Sequence, residues 1–308
     1  MSQVSVIIPN YQGARWLPLT LDSCLQQREF LHEIIVVDDQ SGDNSWEILT
    51  DYQARYPQIV KIYKNQGKGG NIARSFGFSL STGAFIQWLD ADDQLLPGKF
   101  QVQLEAFGKY PDADVIYSDW QLDTYDGQGA LVRKELKKHR QYPDFLFELL
   151  MDNWSAPNNY LLRREAAEKL DRLGGWDANT PVFQDREYFT LAAIEGLQFR
   201  YAEGNLSVYN RWSRNSVSQA KAGKGEALAK LLDKFRQRLE ASDVFTPGQK
   251  QLYFNMIVTA KMMNRLSGRK LLLRDRESRV DNVFWPMIKA PTTRIKLFLA
   301  LTLNKIIR

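Results

Sequence analysis

Cysteine is nearly absent: Cys24 is the one thiol in 308 residues. That excludes an internal disulfide framework and fits a reducing compartment. Histidine is almost as scarce, with only His32 and His139, so Ser-His and Cys-His nucleophile pairs have no partner in a plausible loop. Long apolar runs are missing too. No stretch approaches the roughly 18 residues of a membrane-spanning helix. The opening MSQVSVIIPNYQG carries no basic n-region or cleavage site, so the expectation is a cytoplasmic protein without a secretory signal. Phosphate-binding glycine loops are lacking as well. GKGG at 67–70 and AGKG at 222–225 have neither the spacing nor the terminal Lys-Ser/Thr pair, and the single Gly13 after the first apolar run is no dinucleotide fingerprint.

What is present is an ordinary globular composition, 44% hydrophobic and 25% charged, with a net charge of +5. The small net value hides an asymmetry. Residues 1–220 carry 22 Lys and Arg against 29 Asp and Glu, a balance of −7; residues 221–308 carry 19 against 7, a balance of +12, with no acid after Asp281. We therefore expect a domain over 1–220 and a basic helical extension over 221–308, and no nucleic-acid partner.

The first third alternates between strand and helix signals. VSVIIP at 4–9, EIIVVDD at 33–39, 60–63, AFIQWL at 84–89 and 113–117 read as buried strands, with helices at 45–56 and 71–80 between them. Pro97 suits the first turn of another helix. Such alternation predicts an α/β fold with a mostly parallel sheet flanked by helices. Beyond it, 123–141 reads as a surface excursion, 160–163, 199–202 and 206–209 as short strands, and 165–170 and 186–194 as helices. Long helical patterns follow from Glu226, broken at Thr246-Pro247-Gly248.

Two of these strands end in acids. Asp38-Asp39 close one, and Asp90-Ala91-Asp92-Asp93 close another, where open α/β sheets place their ligands. Carboxylates this close repel each other unless a cation sits among them, and oxygen ligands suit Mg²⁺ or Mn²⁺ shared with a phosphate. A plainer reading makes Asp92 or Asp93 the cap of the following helix.

Over residues 4 to about 218 the chain resembles the family 2 inverting glycosyltransferases of bacterial type, which have the GT-A fold. The resemblance rests on VSVIIPNYQG, EIIVVDDQSGDNS, NQGKGGNIARSFGFSLSTGAFIQWLDADD, GGWDANTPVFQDREYFTLAAIEG and VYNRWSRNSVS in that order. It implies transfer of a sugar from a nucleotide-sugar donor, UDP-sugar foremost, to a glycan or its lipid carrier. It places Pro9 and Tyr11 beside the nucleotide. Asp38 and Asp39 become the pair reading the base, with Asp39 accepting from a uracil N3–H. Arg74, Asp90 and Asp92 fall near the nucleotide, and Asp92 and Asp93 on a divalent metal ion (Mn²⁺ or Mg²⁺).

Asp185 is the implied general base, preceded by Gly174-Gly175-Trp176-Asp177, with Gln184 in place of the family's usual Glu. Its plainer reading is a cap of the 186–194 helix. Where many relatives carry a His, this chain has Trp212 and Arg214. Arg214 is the residue expected to neutralise diphosphate and lessen dependence on metal. Trp154, Trp176 and Trp212 are expected on the acceptor side, or else in the core, and the Asn153–Asn159 loop near the acceptor.

In the tail, Ile295, Phe298, Leu299, Thr302, Leu303 and Ile306 share a helical face flanked by Arg294, Lys296, Lys305 and Arg308. Such a helix suits the anionic inner face of a membrane, packing on its own domain, or a dimer contact. Two rival functions remain: a sugar-nucleotide-forming nucleotidyltransferase, which needs a Gly-rich basic loop that PNYQGARWLP does not supply, and a non-catalytic carbohydrate- or membrane-binding scaffold.

Overall fold

Short β-branched runs build the sheet. The computed structural model describes residues 3–139, 144–151, 155–212 and 223–268, with side chains to residue 261. In chain order the first elements are β1 (Val4–Asn10), α1 (Leu17–Leu25), β2 (Leu31–Asp38), α2 (Ser45–Arg55), β3 (Val60–Lys64), α3 (Gly70–Leu80), β4 (Phe85–Trp88), β5 (Gln94–Leu95) and α4 (Lys99–Lys109). There follow β6 (Val115–Tyr125), β7 (Leu131–Lys137), α5 (Phe145–Leu150), β8 (Leu161–Arg163), α6 (Arg164–Arg172), α7 (Gln184–Ile194), β9 (Phe199–Arg211), α8 (Lys224–Ala241) and α9 (Pro247–Gly268).

Among the described residues the strands form one sheet in the order β3-β2-β1-β4-β8-β6-β9-β5, with β7 paired to β6. The β1–β4 half is parallel throughout. Its strands are buried on both faces, hence their unbroken apolar runs. One core layer gathers Val4, Val6, Ile8, Leu17, Leu21 and Cys24, burial that also pushes the Cys24 thiol up to about 12. On the other face α3 lies against β1 and β2 at Gly77, where a Cβ would stand 2.7 Å from the Ile7 Cγ2. That close approach fixes how far Arg74, on the same helix, reaches toward the end of β4.

The other half of the sheet is mixed. β8 runs antiparallel to β4 and β6, whereas β9 runs parallel to β6. Here the structure departs from the expected elements. The strand expected at 113–117 continues as β6 to Tyr125, and the expected excursion is the hairpin β6–β7, an edge strand carrying Arg133, Lys134 and Lys137. Cross-strand and in-strand ion pairs of Lys134 with Asp123 and of Glu135 with Arg133 and Lys137 hold it, an arrangement that charge-blunted edges use. The two short strands near 199–209 are one, because β9 follows β6 along nearly its whole length. Pro97 lies just outside α4, whose N-cap is Gly98 with φ 82°; neither Asp92 nor Asp93 caps it.

The chain divides into two compact units, one of residues 1–141 and 154–220, the other of 142–153 and 221–308. In the second, α5, α8 and α9 bury Leu146, Leu149, Leu231, Leu232, Phe235, Tyr253 and Ile257. Asp144 caps α5, accepting from the Phe147 N–H at 2.7 Å, and also accepts from the Tyr253 hydroxyl. No described helix is long and apolar enough to cross a membrane. The tail helix expected at 294–308, Trp154 and Arg214 lie outside the described residues.

Candidate active site

Because β1, β2 and β4 are parallel, their carboxyl ends share one edge of the sheet, and Asn10, Asp38 and Asp90 stand there. Asp38 is fully buried; its Oδ1 accepts from Asn10 Nδ2 at 2.8 Å and Ser41 Oγ at 2.6 Å, and its Oδ2 from the Ser41 N–H at 3.1 Å. Its oxygens tie the loops after β1 and β2 together. Asp39 beside it is buried as well. Its oxygens accept from Asn65 Nδ2 at 2.7 Å and the Gly69 N–H at 2.8 Å, and Gly69 turns there with φ 110°, a conformation that suits glycine. Pro9 is half-buried at the end of β1, and Tyr11 beyond it is 58% exposed.

Backbone strain collects at the same edge. Among the described residues, the non-glycine residues with left-handed φ are Gln12 after β1, Gln40 after Asp39, and Phe183 two residues before Asp185. Each costs roughly 1–2 kcal/mol, and such residues concentrate where a site is over-determined by its surroundings.

Arg74 links the end of β4 to the start of α7. It is buried, its Nη2 2.5 Å from Asp90 Oδ1 and its Nη1 donating to Gln184 Oε1 at 3.0 Å and Asn71 Oδ1 at 3.3 Å. The guanidinium lies 4.5 Å over the Trp176 ring. Asn71 in turn donates to the Asp177 carbonyl at 2.6 Å, tying α3 to the loop that leads into α7. Trp176 packs among aromatic rings here. It is 6% exposed, stacked on Tyr188 at 4.4 Å and edge-on to Trp88 at 5.4 Å, and supports Arg74 from beneath.

Asp185 occupies the first turn of α7, whose N-cap is Phe183, so the capping reading does not hold. Its carboxyl is raised to about 6, first by burial and next by the negative charge of Asp90, against the Arg186 N–H at 2.9 Å and the Arg74 charge, which lower it. A carboxyl so tuned exchanges a proton near neutrality.

The Asp90–Asp93 turn is pinned from several sides. Thr20 Oγ1 donates to the Ala91 and Asp93 carbonyls at 2.8 and 2.9 Å, and Asn210 Nδ2 to the Asp92 carbonyl at 2.7 Å. The Asp93 carboxylate points inward. It is fully buried, accepting from Asn158 Nδ2 at 3.1 Å and the Asn210 N–H at 2.9 Å. It anchors the turn to β9 and to the 157–159 turn, where Asn158 and Asn159 are likewise buried.

Asp92 remains partly exposed, its carboxyl raised to about 7 by burial and by the Asp90 charge. Burial and the charges of Asp92 and Asp90 push Asp93 well up as well. Repulsion of this kind is what a divalent cation relieves. Among the described residues there is no group of three or more acidic, His or Cys side chains placed to hold one. The arrangement therefore fits a metal held by Asp92 together with phosphate oxygens and water, not an all-protein cage.

The Trp212 ring is stacked 3.5 Å from Trp16 and 3.9 Å from Tyr125, centroid to centroid. The Arg15 guanidinium lies 4.3 Å from the Trp16 ring centre and 5.8 Å from that of Trp212. Sequence reading did not single out Asn65, Asn71, Asn210, Trp16 or Tyr125. Asn65 and Asn71 carried a signal inside the NQGKGGN string between β3 and α3, and Asn210 inside VYNRWSRNSVS.

Comparison with known proteins agrees with this geometry. In TM-score the chain is 0.64 from the crystal structure of S. aureus TarS 1–349 in complex with UDP-GlcNAc, at 16% identity, covering 91% of this chain and 77% of that one. The mannosyltransferase PcManGT from Pyrobaculum calidifontis, in complex with GDP-Man and Mn²⁺, gives 0.60 at 15% identity, covering 99% and 86%. Both likenesses show the GT-A fold. By sequence it is 34% identical over 175 residues to the uncharacterized glycosyltransferase alr2836 of Nostoc sp. strain PCC 7120, covering 54% of this chain and 53% of that protein. It is 32% identical over 121 residues to the uncharacterized glycosyltransferase YibD of Escherichia coli K12, covering 39% and 35%. The chain thus spans about half the length, or less, of these curated relatives. A family model described as glycosyl transferase family 2 matches residues 5–170, more than half of the sequence; the chain belongs to that family of glycosyltransferases.

Proposed function

We propose that this glycosyltransferase moves a sugar from a UDP-sugar to a hydroxyl of a glycan or lipid-linked acceptor, with inversion, and that Asp185 is the general base. The observation that carries the reading is the Asp90–Arg74–Gln184 bridge, which brings the carboxyl end of β4 and the first turn of α7 to one place. A leaving-group side and a proton-accepting side then flank the same anomeric carbon.

On this reading Asp39 accepts from the base, Pro9 and Tyr11 border it, and Asp90 and Asp92 face the ribose and diphosphate. Asp92 would hold a divalent metal ion, which supplies Lewis-acid stabilisation of the departing diphosphate. The acceptor oxygen attacks the anomeric carbon, the C–O bond to the diphosphate breaks with its electron pair leaving on UDP, and Asp185 takes the acceptor proton. Arg74 positions both sides and keeps Asp185 from rising further. The basic 221–308 extension would keep the enzyme near an anionic membrane bearing its acceptor. The nearest support is composition, +12 over that segment.

Asp185→Asn tests the assignment. It should keep UDP affinity within a few-fold of wild type and lower transfer by roughly 10²–10⁴-fold. It should also melt at or above the wild-type temperature at pH 8. A carboxyl raised on folding to about 6 stabilises the fold below its unfolded pKa and loses that contribution as pH rises through 6. Near-wild-type transfer by this variant would remove Asp185 from the role.

A further inference from the structure

We propose that the β6–β7 hairpin is a membrane-docking surface of the unit formed by residues 1–141 and 154–220, and that it seats β7 on an anionic lipid bilayer. The inference rests on the lipid-linked acceptor of the reading above, which puts the substrate at a membrane. β7 pairs with β6 along one side, and its outer edge meets no other strand among the described residues. On it Val132, Leu136 and Leu131 stand 60%, 49% and 42% exposed. The other large apolar side chains exposed among the described residues, Tyr11, Leu19, Val244 and Val258, lie singly along the chain, which is ordinary for a protein surface.

Charge decides what covers this strand. Residues 131–138 hold Arg133, Lys134, Lys137 and Lys138 against Glu135 alone. Arg211 joins them, because Thr124 on β6 is the register partner of both Arg133 and Arg211. A second copy pairing along the same edge would set basic side chains against basic ones, the arrangement that keeps edge strands apart. An anionic bilayer complements both features at once: the charged heads meet lipid phosphates while the valine and leucine side chains enter the interface. The turn before β7 is built to hold its shape. Asp126 Oδ1 accepts from the Gln128 and Ala130 N–H groups at 2.8 and 2.9 Å, and Gly129 turns with φ 86°. The strand is also close to the acidic turn, since β6 joins β7 to β9, and Asn210 of β9 donates to the Asp92 carbonyl at 2.7 Å.

The test is co-sedimentation of the full chain, without donor, on vesicles of phosphatidylcholine alone or mixed in equal parts with phosphatidylglycerol. Wild type should bind the mixed vesicles, and more weakly as salt rises. Arg133→Gln/Lys138→Gln leaves the Lys134–Asp123 and Lys137–Glu135 pairs in place. It should bind about 10–30-fold more weakly, at about fivefold per charge. Val132→Ser/Leu136→Ser should bind about tenfold more weakly. Lys109→Gln/Arg172→Gln removes two charges exposed elsewhere on the same unit, and should change binding by about twofold at most, because charges beyond a Debye length from the bilayer are screened. Hairpin variants that bind as wild type does, or an equal loss in the Lys109 and Arg172 variant, would overturn the docking role. Should Val132→Ser/Leu136→Ser prove insoluble, the charge variant decides alone by the same criterion. UDP affinity, measured separately by calorimetry, keeps the two readings apart. Hairpin variants should keep the wild-type value; a wild type that binds no UDP overturns the donor-site reading, while the vesicle result still decides the surface.

Discussion

The two halves of the sheet contribute to the site in different ways. In the parallel half, β1, β2 and β4 end together, and Asn10, Asp38, Asp39 and Asp90 follow directly from short buried runs. In the mixed half, β6, β8 and β9 supply few charged groups to the site. They supply holders: Asn158 and Asn210 on Asp93, and Asn210 on the Asp92 carbonyl. One half presents chemistry and the other fixes its geometry. The difference predicts that variants in the parallel half alter donor binding, whereas variants in the mixed half alter stability first.

The largest expected effect in this contrast comes from Asp39→Ala. A hydrogen bond to a charged acceptor contributes about 1.5–3 kcal/mol, so UDP affinity measured by calorimetry should fall roughly 10–100-fold. An unchanged affinity would break the contrast on the parallel side. Asn158→Leu should act the other way. It leaves Asp93 and the Val208 carbonyl, both buried, without the Asn158 amide that donates at 3.1 and 2.8 Å. The cost should be about 1–3 kcal/mol of stability, seen as a lower melting temperature at unchanged metal-free UDP affinity. Gln184→Glu is the subtlest. A second negative charge on Arg74, next to Asp185, should move the acid limb of kcat/KM upward by a fraction of a unit to about one unit, with little loss at pH 8.

These asymmetries match what the sequence disclosed. The β1–β4 half was legible because buried parallel strands write themselves as unbroken apolar runs, and because the acids after them are conspicuous. Which acids face outward was not legible. Asp38 and Asp39 are both buried, whereas of Asp92 and Asp93 only Asp93 is, and their partners Asn10, Ser41, Asn158 and Asn210 arrive from elsewhere in the chain. The mixed half was harder. β6 and β9 carry polar residues such as Asp119, Asp123, Asn205 and Asn210 within their length, which broke the expected strands into shorter ones. The basic run 133–138 read as a loop, although pairing with β6 makes most of it an edge strand. The tryptophans were ambiguous for a physical reason: an aromatic ring near a sugar site reads equally well as a platform or as packing, and both Trp176 and Trp212 stack on other rings.

The central claim is that Asp185, set by burial and by the Asp90–Arg74 pair, takes the acceptor proton. Its most direct test is the pH dependence of kcat/KM for transfer between pH 5 and 8. The account predicts a plateau at high pH and an acid limb at about 6, falling about tenfold per unit below it because only the ionised carboxylate accepts a proton. A profile that stays flat across that range would contradict it.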